Sequence, residues 1–573
     1  MSSGRLDAIH QLVSWLSRTW TAWNGLEVSK VVAHSAGSSG KSPLPVAHAV
    51  VRVAPPARPR LYSSEAISDC PSQVPSIEEN VIAQLRQTRT LQAEWAGRSV
   101  QDRIAVLKSL RLRIAKDPRS LARSVCRQNE AETLAAEVLP LLDACRFLEL
   151  ESPKILRENV SGTRSRPMWL WGTRVLLRPE PLGVVLIIGP SNYPLMLPGI
   201  QALQAIAAGN AVLIKPAVGG TAAAQALVDL AESSGLPSGL IQVLPESPAA
   251  ATIAIRQGVD KVFLTGSAAT GQAVCRDLAN STTPAVMELS GCDAVFILDD
   301  ADPELVSDCL VFGLTLNQSR TCMAPRRVFV SDHMAEQVLP RLLNKLQLRE
   351  QQGLRTADST AFGLAAEHIQ DAIANGAQLL AGSVCPSNGQ PELHGVAIHG
   401  VAILDQVTAN MGIATADLMA PVLSFIRVAS EEEALRENAF CPYALSATVF
   451  GTAQRCEKLA RRIDAGCVVI NDIIVPTADP RVPFGGRRKS GHGMTRGEAG
   501  LLEMTQLKAI VSTRRWFKPH LHSPTPVDAE VMEQLIRLEH ASSPLAKLMV
   551  VPRMIKASLS QLKFRRSQGV REL

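Results

Sequence analysis

Apolar positions change their period along the chain. From Ser76 to about residue 156 they recur every three or four places, as at Val81, Ile82 and Leu85, the spacing that gathers side chains on one helical face. Ser76 with Glu79 three residues later is a capping-box pattern, so the folded part is expected to begin there. From residue 181 short unbroken apolar runs take over. Val184 to Ile188, Ala211 to Ile214, Leu240 to Leu244, Lys261 to Leu264 and Ala285 to Leu289 read as strands buried on both faces. Between them, Met196 to Ala208 (closed by Gly209), Thr221 to Ser233, Ala249 to Arg256 and Ala268 to Ala279 have helical spacing. Such alternation describes βαβ units and a parallel sheet covered on both sides. The same character returns from about 291 to 480, with strands expected at Val295 to Leu298, Arg327 to Val330, Leu423 to Val428, Thr448 to Phe450 and Cys467 to Ile470.

The fold class is therefore α/β, in several parts. Residues 1–75 form an extension expected to be disordered; 76–290 hold the N-terminal helices and first sheet, 291–480 a second α/β domain, 481–515 a closing segment and 516–573 a tail. In the tail, Pro519, Pro524 and Pro526 mark a linker, followed by an amphipathic helix with Met532, Leu535, Ile536 and Leu538. The extension is rich in Ser, Ala and Pro. Its one amphipathic stretch, Leu6 to Trp23, and the run Arg60-Leu61-Tyr62-Ser63-Ser64 would suit a mitochondrial presequence ending near residue 62.

Composition narrows the function. The 573 residues are 46% apolar and 20% charged, ordinary for a soluble globular protein, and exceed one domain. The net charge of +6 is spread out apart from basic clusters near Arg514 and Lys563, so nucleic-acid binding is not expected. No apolar run approaches the ~18 residues a spanning helix needs. Eleven cysteines without a CxxC pair point to reduced thiols and a cytoplasmic setting, with the mitochondrion as the alternative. Eleven histidines form no HExxH motif and no cluster with metal-ligand spacing.

Four local features carry chemistry, each with a plain structural alternative. Thr265-Gly266-Ser267, with Gly271 beyond, follows a strand and opens a helix; its free amides suit a pyrophosphate, or simply cap the helix. Lys215 ends a strand at the edge where open α/β sheets bind ligands, or is a surface lysine. Glu288 ends an apolar strand, where a carboxylate is costly unless paired or used. Cys322 lies in a polar loop, as a nucleophile or as an inert small hydrophobe.

In order along the chain these pieces resemble the aldehyde dehydrogenase superfamily, over roughly residues 78 to 515. The motifs are Gly189-Pro190-Ser191-Asn192-Tyr193-Pro194, Leu213-Ile214-Lys215-Pro216, Thr265-Gly266-Ser267 with Gly271, Glu288-Leu289-Ser290-Gly291, Asn317 to Cys322, and Pro483-Phe484-Gly485-Gly486. The resemblance implies a Rossmann-like dinucleotide-binding domain, a catalytic α/β domain and a small oligomerisation arm. It implies oxidation of an aldehyde to an acid with NAD or NADP: Cys322 as nucleophile, Asn192 with the Cys322 N–H as oxyanion donors, and Glu288 as the base that hydrolyses the thioester. Pro190, Ser191, Lys215, Gly266, Ser267, Gly271, Leu289, Asp417 and Phe484 are implied to hold the cofactor. A homodimer or homotetramer is implied, assembled through the arm Trp169 to Arg178 and the segment after Gly491. A CoA-acylating enzyme and a catalytically silent binding homologue are the alternatives.

The chain departs from the family pattern at several points. Val218 replaces a Glu that accepts a ribose hydroxyl in many NAD-preferring members, Cys292 a Lys and Ser290 a Gly. Ser319 and Arg320 stand where Gly and Gln are common, and Asp417 where Glu is usual. Arg320, pointing inward, would stabilise a Cys322 thiolate.

Overall fold

The computed structural model describes residues 76–127, 129–351, 363–386, 396–513, 519–521 and 523–567. The presequence-like stretch and the processing-type run lie outside them, as does the basic cluster near Arg514.

The chain enters as the capping box predicts. Ser76 Oγ accepts from the Glu79 N–H, and the Glu79 carboxylate accepts from the Ser76 N–H at 2.9 Å, opening the helix Ile77–Ala96. Two further long helices, Val100–Lys116 and Leu139–Ile155, follow.

The first sheet contains β1 (Val184–Ile188), β2 (Ala211–Lys215), β3 (Ile241–Val243), β4 (Lys261–Gly266) and β5 (Ala285–Leu289). They are parallel in the order β5-β4-β1-β2-β3, and a short strand, Gly491–His492, adds antiparallel to β5. Every residue of β1 and β2 is buried because helices cover both faces. Chain order reverses between β1 and β4, and at such a point two loops diverge and leave a crevice at the strands' carboxyl ends.

The helix Met196–Ala208 follows β1 and packs against the face of the sheet. From Leu197 to Ala208 every residue is buried, between the sheet and the N-terminal helices. Its ends are satisfied from outside the helix. Glu137, fully buried and paired with Arg127 at 2.9 Å, accepts from the Leu195 and Met196 N–H groups. At the other end Trp95 Nε1 donates to the Ile206 carbonyl and Arg103 Nε to that of Ala207, both at 3.0 Å. Gly209 then turns the chain at φ 98°, a left-handed conformation that favours glycine.

The second sheet contains β6 (Asp293–Ile297), β7 (Pro325–Val330), β8 (Gln378–Pro386), β9 (Val396–Asp405), β10 (Val422–Arg427), β11 (Ser446–Phe450) and β12 (Cys467–Ile470). Its order is β8-β9-β10-β7-β6-β11-β12, parallel except for the pair β8 and β9. That pair has no expectation in the apolar pattern. Gly382 and Gly400, at φ 82° and 77°, and two register shifts interrupt its alternation.

Thr173–Pro181 pairs antiparallel with Thr505–Thr513 over nine residues and, along its other edge, with the short strand Asn159–Val160, a three-stranded ribbon at the place of the expected arm. In the tail, Pro526 opens the expected helix, Pro526–Glu539, but the apolar residues read from the sequence are not its buried face. Met532 and Ile536 are exposed, while Asp528, Val531 and Gln534 are buried, because a second helix that the pattern did not suggest, Pro544–Ser567, packs there.

Candidate active site

The carboxyl ends of β1, β2, β4 and β5 line a cavity of about 470 Å³. After β1 come Pro190, Ser191 and Asn192; at the end of β2 stands Lys215, whose ammonium pKa is lowered by burial. After β4, Gly266 and Ser267 line the wall, and the turn also caps the following helix. Ser267 Oγ caps the helix Ala268–Leu278 by accepting from the Thr270 N–H at 3.2 Å, while the turn faces the cavity. Gly271 is not part of the lining. A Cβ there would stand 2.7 Å from Leu289 Cδ1, so its role is to let the helix close on the β5 end.

Glu288, Leu289 and Ser290 carry the lining to Asp417, which reaches in from the loop before β10. Ser290 Oγ donates to Asp417 Oδ2, whereas Asp417 Oδ1 is buried with no partner among the described residues. An orphaned buried carboxylate oxygen at a cavity wall is an acceptor waiting for a hydroxyl.

Cys322 closes the far end of the cavity, in the loop before β7. Asn317, Gln318 and Ser319 ahead of it are all left-handed, at φ 49°, 55° and 60°. A non-glycine residue there costs roughly 1–2 kcal/mol, so the loop must be held from outside. The holds are visible. Arg326 donates to Ser319 Oγ and O at 2.7 and 2.6 Å, and Glu132 accepts from the Asn317 N–H at 2.7 Å. Asn192 Nδ2 donates to the Arg320 carbonyl at 2.7 Å, and Asn317 Nδ2 donates back to the Asn192 carbonyl at 2.9 Å. Tyr193 and Thr321 join hydroxyls at 2.7 Å. The Asn192 loop and the Cys322 loop are thus one hydrogen-bonded unit.

Electrostatics at the thiol run against ionisation. Burial, then Glu288 and Asp293, push the Cys322 pKa well up, and the opposing cation is Arg496. Glu288 is itself 3% exposed, and burial raises its pKa against the pull of Arg496 and the Thr495 hydroxyl. That hydroxyl lies 3.1 Å from Glu288 Oε2 and 3.0 Å from the Phe484 carbonyl.

Arg496 has no counterpart in the sequence reading. Its backbone sits at φ 61°, its Nη1 donates to the Thr477 carbonyl at 2.7 Å, its guanidinium covers the Phe484 ring at 4.6 Å, and its buried Nε has no partner among the described residues. Arg320, a thiolate partner only if it points inward, joins the site through its carbonyl, and the cation acting on the thiol is Arg496. A basic residue in a closing loop has no periodic signal, so only coordinates single it out. Phe484 is 1% exposed and packs with Cys322, Met323 and Leu445, behind the thiol and not among the residues lining the cavity.

A parallel sheet whose glycine turn, lysine and carboxylates lead to a thiol beside a buried glutamate defines a dinucleotide-dependent oxidoreductase of the thiol-bearing class. The comparisons give its family. The aldehyde dehydrogenase family profile matches residues 65–510, and the chain belongs to that family. A 4,4'-diapolycopene aldehyde oxidase of Methylomonas is 28% identical over 434 residues, covering 74% of this chain and 79% of the relative. A chloroplastic aminoaldehyde dehydrogenase of Arabidopsis thaliana is 31% identical over 351 residues, 59% of this chain and 69% of the relative. Among solved structures, the NADP complex of a Bacillus halodurans NADP-dependent glyceraldehyde-3-phosphate dehydrogenase superposes with a TM-score of 0.67 at 25% identity, covering 76% of this chain and 92% of that one. The NAD complex of a Staphylococcus aureus betaine aldehyde dehydrogenase has the same fold, with a TM-score of 0.68 at 22% identity over 78% and 89% of the two chains. The protein is an NAD(P)-dependent aldehyde dehydrogenase, oxidising an aldehyde to a carboxylic acid.

Proposed function

We propose that Cys322 is the nucleophile, Glu288 the general base and Asn192 an oxyanion donor. The observation that carries this reading is the single cavity running from Lys215 and the Gly266-Ser267 turn to Cys322 and Glu288. Cys322 gives its proton to solvent, and the thiolate, with Arg496 as the cation beside it, adds to the aldehyde carbon and leaves an oxyanion. The Cys322 N–H and the Asn192 amide receive it; that amide has two N–H bonds, and Arg320 takes only one. Each such donor typically lowers the barrier by about 3 kcal/mol.

Lys215, Ser191, the Gly266-Ser267 turn and Asp417 would hold the cofactor, and the orphaned Asp417 oxygen fits a ribose hydroxyl. When bound, the dinucleotide supplies the acceptor for the hydride leaving the thiohemiacetal carbon. Glu288 then takes a proton from water, the hydroxide attacks the thioester, and the Cys322 thiolate departs as the acid forms. A base of raised pKa suits that step, and its presence favours water over CoA as the acyl acceptor. Leu289 forms part of the same wall. Gly271 and Phe484 contribute by packing, Gly271 under Leu289 and Phe484 behind the thiol.

Val218, 82% exposed beside the cavity-lining Ala217, neither accepts a ribose hydroxyl nor repels a ribose phosphate, so both NAD and NADP are admitted. The parts divide the labour: 76–290 holds the dinucleotide, 291–480 presents the thiol and 481–515 closes the site. Leu507 and Val511 on the exposed ribbon support a homodimer or homotetramer. Nine free cysteines among the described residues support a reducing compartment, the cytoplasm, with the mitochondrion as the alternative if residues 1–62 are removed. NAD and NADP reduction over a panel of aliphatic, aromatic and semialdehyde substrates, with Cys322→Ala as control, tests the reading; turnover surviving in Cys322→Ala contradicts it.

A further inference from the structure

The helix Pro544–Ser567 has two unlike sides. On one, Ala557 is buried, and Gln561 donates to Asp528 of the neighbouring helix. On the other, Leu545, Leu548, Val551, Ile555 and Leu559 are 70, 67, 38, 56 and 55% exposed. Steps of three and four residues set these five on one stripe along the helix. Single exposed apolar side chains are normal on a soluble protein, but a continuous stripe marks a surface that is covered in use.

The charge of the same helix says by what. Over 544–567 the sequence has six Lys and Arg and no Asp or Glu, and Lys547, Arg553, Lys556 and Lys563 are exposed. A second copy docked through a two-fold axis would set a helix without Asp or Glu against its own copy, cation facing cation. A nucleic acid would meet the cations and leave the stripe in water. Among the described residues no helix is long and apolar enough to cross a membrane. A helix lying in the plane of an anionic bilayer satisfies both features, with apolar side chains at the headgroup boundary and lysine ammoniums extended to the lipid phosphates.

We propose that the helix Pro544–Ser567 docks the enzyme onto an anionic lipid surface through the stripe from Leu545 to Leu559. The proposal is independent of the roles assigned to Cys322 and Glu288.

The test is co-sedimentation of the full-length protein with phosphatidylcholine vesicles, with and without phosphatidylserine. Binding is expected to need phosphatidylserine and to weaken with salt. Leu548→Asp with Ile555→Asp, or Lys556→Glu with Lys563→Glu, is expected to lower partitioning by about tenfold or more. NADH or NADPH formation from a water-soluble aldehyde stays unchanged in both, which reports an intact fold. The proposal is overturned if the wild type ignores anionic vesicles, or if both double variants bind them equally well. It is also overturned if Leu548→Asp with Ile555→Asp changes the oligomeric mass in light scattering, or if an oligonucleotide binds in place of the vesicles.

Discussion

Glu288 and Arg496 share one problem at the residue scale: each is a buried charge, Arg496 offsets both Glu288 and a Cys322 thiolate, and Glu288 opposes that thiolate. Because burial raises the Glu288 pKa, the basic form grows as pH rises through that raised value, and the hydrolytic rate should climb with it. Glu288→Gln should abolish that limb and cut steady-state turnover by roughly 10²–10⁴-fold while the first turnover survives as a burst, measured by rapid mixing. Arg496→Met should move the pH profile of Cys322 alkylation to more alkaline values by about one unit, and Arg496→Lys should restore it. An unmoved profile in Arg496→Met would remove Arg496 from the site's electrostatics. Cys322 was legible in the sequence only through company: an ordered run of motifs from Asn192 through Glu288 singled it out among eleven cysteines. Arg496 had no such company, and its contacts to Thr477 and Phe484 are tertiary.

At the scale of elements, the strands and helices of the first sheet were legible almost to the residue. Met196–Ala208 closes at Gly209 and Val184–Ile188 has its expected ends, since burial on both faces of a strand leaves an unbroken apolar run. The pair β8 and β9 was not legible, because an edge hairpin broken by glycines and register shifts has neither period. The tail helix was legible but its buried face was not, since Met532 and Ile536 are exposed, Leu535 and Leu538 half-buried, and its partner helix covers Asp528 and Val531. The helix Met196–Ala208 is the element on which the site depends most. Leu203→Ala, at a position 2% exposed, should lower unfolding stability by about 2–5 kcal/mol, read by urea titration. A loss below about 0.5 kcal/mol would mean that this helix is not packed as described.

For the whole molecule, the ribbon of Thr173–Pro181 and Thr505–Thr513 is the proposed assembly element. Val511→Asp, at a position 64% exposed in one chain, should shift the mass in light scattering toward the monomer. An unchanged mass would place the interface elsewhere. Everything else converges on one cavity joining the first sheet's carboxyl edge to Cys322. The most direct test is intact-protein mass spectrometry with peptide mapping of Glu288→Gln after mixing with NAD or NADP and the aldehyde panel. The prediction is an acyl adduct on Cys322, absent in Glu288→Gln combined with Cys322→Ala. An acyl adduct on any other residue, or NAD(P)H formed at the wild-type rate without Cys322, would contradict it.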